Sequence, residues 1–277
     1  MQRPLRQVDV FSHEPFAGNP VAVVLDGNGL STADMQRIAR WTNLSETTFV
    51  LPADVAGADY QVRIFTAVAE LPFAGHPTLG TCHAWLEAGG KPAGPDAIVQ
   101  QCGVGLVKIR RVDGMLSFAA PARRRSGPVD EALVAQISKQ LGVDRADVVD
   151  AQWADNGPGW VAVLLASADA VLALRPAFAP GLNVGVAGPY TAGSECAIEV
   201  RAFFSKGDHS VEDPVTGSFN ASLAQWLVET SRIAAPYVAS QGTAIGRSGR
   251  VHVSTDQSGA IWVGGDTVTR ITGAVDA

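Results

Sequence analysis

Short apolar runs of strand character recur along this chain, separated by turns rich in glycine and proline. Val8 to Phe11 and Val21 to Leu25 read as strands around a turn at Phe16-Ala-Gly-Asn-Pro20. Thr47 to Leu51, Gln61 to Thr66, Ile98 to Gln101, Gly105 to Arg111 and Met115 to Phe118 continue the pattern, and so do Trp160 to Ala166 and Cys196 to Phe204. Val251 to Ser254, Ala260 to Gly264 and Thr267 to Thr272 close the chain as strands. Helical spacing is rarer. Ser31 opens one helix, with Asp34 three residues on as a capping-box acid and Met35, Ile38 and Ala39 on one face. Thr78 to Ala88, Glu131 to Leu141 and Ser218 to Glu229 are the others. Strands outnumber helices without strict alternation, which is an α+β pattern. Pro121 to Pro128, with Arg123, Arg124 and Arg125 in a row, is the best linker, so a first lobe is expected over residues 1–122 and a second over 123–277.

An internal repeat changes this picture. Val62-Arg-Ile-Phe65 is echoed by Val200-Arg-Ala-Phe203, and His76-Pro-Thr-Leu-Gly-Thr81 by Asp213-Pro-Val-Thr-Gly-Ser218. The spacings, 201 − 63 = 138 and 213 − 76 = 137, are near half the chain, which points to duplication. Each Pro/Gly turn precedes or opens a helix, where unpaired N–H groups attract anions. Two such turns on lobes related by a pseudo-two-fold axis are expected to face one cleft and hold a small carboxylate-bearing molecule, with His76 and Asp213 both at helix starts.

Composition excludes several classes. The 277 residues carry a net charge of −6, with a pI near 5.3 and a mean hydropathy of +0.13, so a nucleic-acid partner is not expected. No apolar run reaches membrane-spanning length, and the first residues lack the apolar core of a signal peptide, so a cytoplasmic location is expected. Cys82, Cys102 and Cys196 form no CxxC pair, and Cys82 and Cys102 read as buried structural thiols. The five histidines make no HExxH or HxH pattern, and Gly103 and Gly105 start a GxG with Lys108 in the third glycine position of GxGxxG. No metal or nucleotide cofactor is expected.

The polar candidates are open to two readings each. Glu46, between Leu44 and Phe49, has the setting of a desolvated general base, yet alone it reads more simply as a loop glutamate. His76 is a site imidazole or a satisfied core histidine, Asp213 a site carboxylate or a helix N-cap, and Ser218 a site hydroxyl or a helix-start serine. Phe16, Trp41, Trp153 and Phe219 read as core packing before pocket walls.

Five stretches in order then carry a resemblance. Phe16 to Val23, Asn43 to Val50, Glu70 to Pro77, Glu212 to Ser218 and Gln241 to Arg247 resemble the PhzF-like family of phenazine biosynthesis, over nearly the whole chain. The resemblance implies the diaminopimelate-epimerase-like fold: two pseudo-symmetric lobes, each a mixed barrel-like sheet around a central helix, with the active site between them. It also implies that the last strand, about 264–277, returns to the first lobe, and that the protein is a homodimer. The activity implied is cofactor-free isomerisation of trans-2,3-dihydro-3-hydroxyanthranilate. Glu46 matches the family's base, and His76, Asp213 and Ser218 match its other polar site positions. Gly75 and Gly217 match the glycines whose backbone approaches substrate, with Ser45 as a further contact. The related two-cysteine racemases are disfavoured, because Cys82 and Cys196 lie off the two turns. Isomerisation or epimerisation of another small carboxylate, and non-catalytic metabolite binding, are the competing readings.

Overall fold

The computed structural model describes residues 1–95, 97–177, 181–206 and 209–277. Two compact units form, Met1–Ala119 with Gly264–Ala277, and Ala120–Val263.

The first unit runs β1 (Gln2–Val10), β2 (Asn19–Val24), α1 (Thr32–Thr42), β3 (Glu46–Leu51), β4 (Tyr60–Phe65), β5 (Glu70–Leu71), α2 (Gly75–Glu87), β6 (Ile98–Cys102), β7 (Gly105–Val112) and β8 (Met115–Ala119). In α1 the expected capping box is present: Ser31 Oγ accepts from the Asp34 N–H, and the Asp34 carboxylate accepts from the Ser31 N–H. Helix α2 starts three residues before the expected Thr78. Pro77 has no N–H to lose and a φ suited to a first helical turn, so the chain can already be helical at Gly75. Nine of the thirteen α2 residues are buried, which makes it the central helix of its unit. It packs on β1, β2, β3, β6 and β8. The approach is close at Gly80, where a Cβ would lie 2.4 Å from Val21. Phe49 and Phe65 meet edge-on beside Val24, Met35 and Ala39 in a second apolar cluster under α1.

The second unit runs β9 (Arg125–Pro128), α3 (Glu131–Leu141), β10 (Val148–Asp155), β11 (Trp160–Leu165), α4 (Ala168–Ala173), β12 (Asn183–Pro189), β13 (Ile198–Lys206), β14 (His209–Asp213), α5 (Gly217–Glu229), β15 (Tyr237–Gln241), β16 (Gly249–Thr255) and β17 (Ile261–Gly265). The chain then enters β18 (Thr267–Asp276), which pairs antiparallel along all of β1 in the first unit. Ten of the thirteen α5 residues are buried, so α5 is the counterpart of α2. Ile137, Leu141, Val161, Val163 and Val184 centre the apolar core under α3.

Strand pairing repeats between the units. In the first, β1–β2 is antiparallel, β2–β3 parallel, β3–β4 antiparallel and β4–β6 parallel, with β5 hairpinned to β4. In the second, β10–β11 is antiparallel, β11–β12 parallel, β12–β13 antiparallel and β13–β15 parallel, with β14 hairpinned to β13. Each parallel step is bridged by a helix, as a parallel crossover requires. β18 pairs with β1 as β9 pairs with β10.

Four expectations are corrected. The Arg-rich stretch at 121–128 is not a free linker, because Arg125 to Pro128 form β9 against β10. Phe16 and Trp41 are not core residues: they are 68% and 83% exposed. Phe219 is fully buried, and Trp153 packs half-buried on the second unit's core beneath the Arg125 guanidinium. The repeat also aligns differently. The helix starts superpose Gly75 on Gly217, so Glu70-Leu-Pro-Phe-Ala-Gly-His76 corresponds to Glu212-Asp-Pro-Val-Thr-Gly-Ser218. The counterpart of His76 is therefore Ser218, and the counterpart of Asp213 is Leu71. Asp213 ends β14 and does not begin a helix; the N-cap of α5 is Thr216. The two Arg-containing strands keep a spacing of 138, while the helix starts are 217 − 75 = 142 apart, because the β13–β14 hairpin is four residues longer than β4–β5.

Candidate active site

The first unit builds its polar group from β2, β3 and α2. Glu46 is the first residue of β3, opposite Val21 of β2 in the parallel register. It is a strand residue with a 14% exposed side chain, so the reading as an ordinary loop glutamate falls. His76, in the first turn of α2, reaches it: Nε2 lies 3.2 Å from Glu46 Oε2. The other ring nitrogen, Nδ1, lies 3.3 Å from Nδ2 of the fully buried Asn19, the first residue of β2. Burial holds the imidazole down to about 3, against a hydrogen bond to the Pro20 backbone that pulls the other way. The ring is therefore neutral at neutral pH, and the His76–Glu46 contact is not an ion pair. At this distance the ring nitrogen and the carboxyl oxygen face each other without the geometry of a formed hydrogen bond. Ser45 and Gly75 flank the pair along the chain, Ser45 half-buried and Gly75 buried.

The second unit builds its group from β11, β14, β15 and α5. Asp213 is 8% and Ser218 7% exposed, on either side of the Thr216-Gly217 helix start. Trp160 Nε1 donates to Ser218 Oγ at 3.1 Å, and Asn156 Nδ2 donates to the Ser218 carbonyl at 2.8 Å. Trp160 begins β11 as Asn19 begins β2. Each unit thus supplies an N–H from the first residue of the matching strand to the second residue of its central helix. Thr216 Oγ1 donates to Asp213 Oδ2 at 2.6 Å. Neither N-cap, Ala74 or Thr216, bonds its own helix through its side chain, which leaves first-turn N–H groups to other acceptors.

The duplicated frame thus carries unlike chemistry. The first unit holds a carboxyl–imidazole pair, and the second a carboxylate and a hydroxyl without an imidazole. β12 begins with Asn183 where β3 begins with Glu46. Asn19, Trp160, Thr216 and Gln241 support these groups and were given no role from sequence. Asn19, Thr216 and Gln241 fall inside the stretches that carry the resemblance, and their place there is the available signal. The cysteines are free and buried, and burial pushes the Cys82 thiol up to about 12, which leaves it no thiolate at neutral pH. Among the described residues no cluster of three or more His, Cys, Asp or Glu side chains has the arrangement of a metal site. No helix among them is long and apolar enough to cross a membrane.

Comparison with known proteins finds relatives over nearly the whole chain. The family model described as phenazine biosynthesis-like protein matches residues 8–273. The chain is 35% identical over 293 residues to Antisense-enhancing sequence 1 of Schizosaccharomyces pombe, covering 98% of each chain. It is 36% identical over 265 residues to trans-2,3-dihydro-3-hydroxyanthranilate isomerase of Pseudomonas aeruginosa, covering 91% of this chain and 90% of that one. The crystal structure of a phenazine biosynthesis protein of the PhzF family from Bacillus anthracis superposes with a TM-score of 0.82 at 22% identity, over 100% of both chains.

Proposed function

The chain belongs to the phenazine biosynthesis-like protein family, and from that premise we propose that it is an isomerase that moves a proton between carbon atoms of a small, carboxylate-bearing cyclic amino acid. The proposed substrate is trans-2,3-dihydro-3-hydroxyanthranilate, the compound in the name of the Pseudomonas aeruginosa relative. The observation that carries the proposal is the Glu46–His76 pair: a secluded carboxyl 3.2 Å from a neutral imidazole, at the start of a central helix.

In this reading Glu46 takes the proton from C3 and returns it at C1. His76, neutral and within 3.2 Å of the Glu46 carboxyl, is placed to exchange a proton with it during the step. Asp213, Ser218, Gly75 and Gly217 are taken, on the family resemblance, as further substrate-contacting positions. Ser45 adds a contact beside the base. No metal or organic cofactor takes part. The working form is proposed to be a cytoplasmic homodimer, on the family resemblance alone.

The test is direct. Purified protein is incubated with trans-2,3-dihydro-3-hydroxyanthranilate and the ring protons are followed by NMR. Conversion to the keto isomer is expected. If that compound survives untouched while another small carboxylate is isomerised, the substrate is wrong and the proton-transfer reading stands. If no member of a panel of cyclic and acyclic amino acids turns over, the chain is a binding homologue and the enzymatic reading fails.

A further inference from the structure

We propose that Gln241 is a positioning residue for Asp213, acting through the Thr216 hydroxyl, so that Asp213 receives a fixed hydrogen bond on Oδ2. The proposal rests on reading Asp213 as a site residue.

The argument begins with the Gln241 side chain, which is fully buried at the end of β15. Its Oε1 accepts from the Thr216 backbone N–H at 2.9 Å and from Asn220 Nδ2 at 2.8 Å. Its Nε2 donates to the Asp213 carbonyl at 3.2 Å and to Thr216 Oγ1 at 2.9 Å. The backbone N–H can only donate and the backbone carbonyl can only accept, so these two partners fix which end of the amide is which. Asn220 is fixed the same way, because its Nδ2 also donates to the Thr216 carbonyl at 3.0 Å. All four hydrogen-bonding positions of the Gln241 amide are then filled. Thr216 Oγ1 must accept from Gln241, so its own hydrogen is free to point one way, to Asp213 Oδ2 at 2.6 Å. The order of donation runs from Gln241 through Thr216 to Asp213. The hydrogen bond on Oδ2 favours the ionised carboxylate.

A second observation separates this relay from the needs of the fold. Thr216 is the N-cap of α5, yet its hydroxyl does not cap the helix. The first unit forms the same helix start with Ala74 as N-cap, Leu71 where Asp213 stands, and Cys102 at the end of β6 where Gln241 ends β15. None of those three can make the relay, and α2 has the same length as α5. The hydroxyl and amide are therefore not required to build this helix start. They are present only in the unit whose strand end carries a carboxylate. The neighbouring Glu212 is taken up by Arg201, Nε to Oε1 at 2.9 Å.

The test reads the Asp213 carboxyl carbon by NMR in protein labelled at aspartate, assigned by its loss in Asp213→Asn. Loss of the donated hydrogen bond removes a preference for the ionised form. The titration midpoint is expected to rise by about one unit in Thr216→Val, and by a similar amount in Gln241→Met. Thr216→Ser, which keeps the hydroxyl, is expected to hold the parental midpoint. In protein that keeps Gln241, one of its side-chain N–H signals should move in Thr216→Val and stay in Thr216→Ser, which reads the upper link even if Gln241→Met does not fold. Equal midpoints in the valine and serine variants, or Gln241 N–H signals that ignore Thr216→Val, would overturn the relay. Turnover separates this from the parent reading. A dead Asp213→Asn with an unmoved midpoint in Thr216→Val sinks the relay alone, and a fully active Asp213→Asn sinks Asp213 as a site residue.

Discussion

His76 shows how one buried side chain carries both a function and a cost. Its imidazole titrates near 3 in the fold and near 6.5 when exposed, because burial disfavours the charged ring. Between those values the unfolded chain binds a proton that the folded chain refuses. The contribution is therefore fully present above pH 6.5, and as pH falls the fold loses about 1.4 kcal/mol per unit until the ring charges near pH 3. His76→Gln keeps a polar side chain and cannot titrate. Urea unfolding at pH 7.5 and 4.5 should show a clearly larger loss of stability for the parental protein than for this variant. Equal losses would mean that His76 is more hydrated than its burial indicates. The same neutrality bears on chemistry, since a ring uncharged at neutral pH does not clamp Glu46 by charge.

At the scale of elements, the duplicated hairpins hold the same ion pair in two settings. Arg63 Nη2 meets Glu70 Oε2 at 2.6 Å, with side chains 25% and 39% exposed. Arg201 Nη2 meets Glu212 Oε2 at 2.7 Å, with side chains only 6% and 11% exposed. Removing one member of a buried pair strands the other, whereas an exposed pair is screened by water. Arg201→Met should cost about 3–5 kcal/mol and Arg63→Met about 0–1 kcal/mol, read by chemical denaturation; similar costs would show that both hairpins are equally solvated. The conserved pairing also explains what could be read in advance. Amphipathic helices with end signals, such as α1 with its Ser31–Asp34 box, are legible because period and cap agree. β12 is hard to read from sequence because Asn183 to Pro189 contains Gly185 and Gly188, which resemble turn residues. The structure needs them small: a Cβ on Gly185 would lie 2.0 Å from the Phe219 ring, and one on Gly188 2.2 Å from the Ser167 carbonyl oxygen. β9 was hidden in an Arg- and Pro-rich stretch that satisfies its backbone only by long-range pairing with β10. The repeat was legible but slipped in register. Two Pro-x-x-Gly strings coincide by sequence, and only the helix starts show that His76 answers to Ser218.

For the whole molecule, two units share one pairing order and differ in the chemistry placed on it. Glu46, His76, Asp213 and Ser218 were all named from sequence, through the resemblance, and each lies at a strand end or a helix start. Of their supports, Asn19, Thr216 and Gln241 lie inside the stretches that carry the resemblance, while Trp160 lies outside them and is brought to Ser218 only by the folded chain. The central claim is that Glu46 is the base of a proton transfer. It is tested by comparing the parental protein with Glu46→Gln in deuterated water, using trans-2,3-dihydro-3-hydroxyanthranilate or the carboxylate that screening identifies, with the transferred hydrogen followed by NMR. Glutamine keeps the size of the side chain and leaves no core cavity, so folding and substrate binding should survive. The account predicts isomerisation with partial or full deuterium uptake by the parental protein, and turnover lowered by roughly a hundredfold or more in Glu46→Gln. A folded Glu46→Gln protein that isomerises the substrate at the parental rate would contradict it.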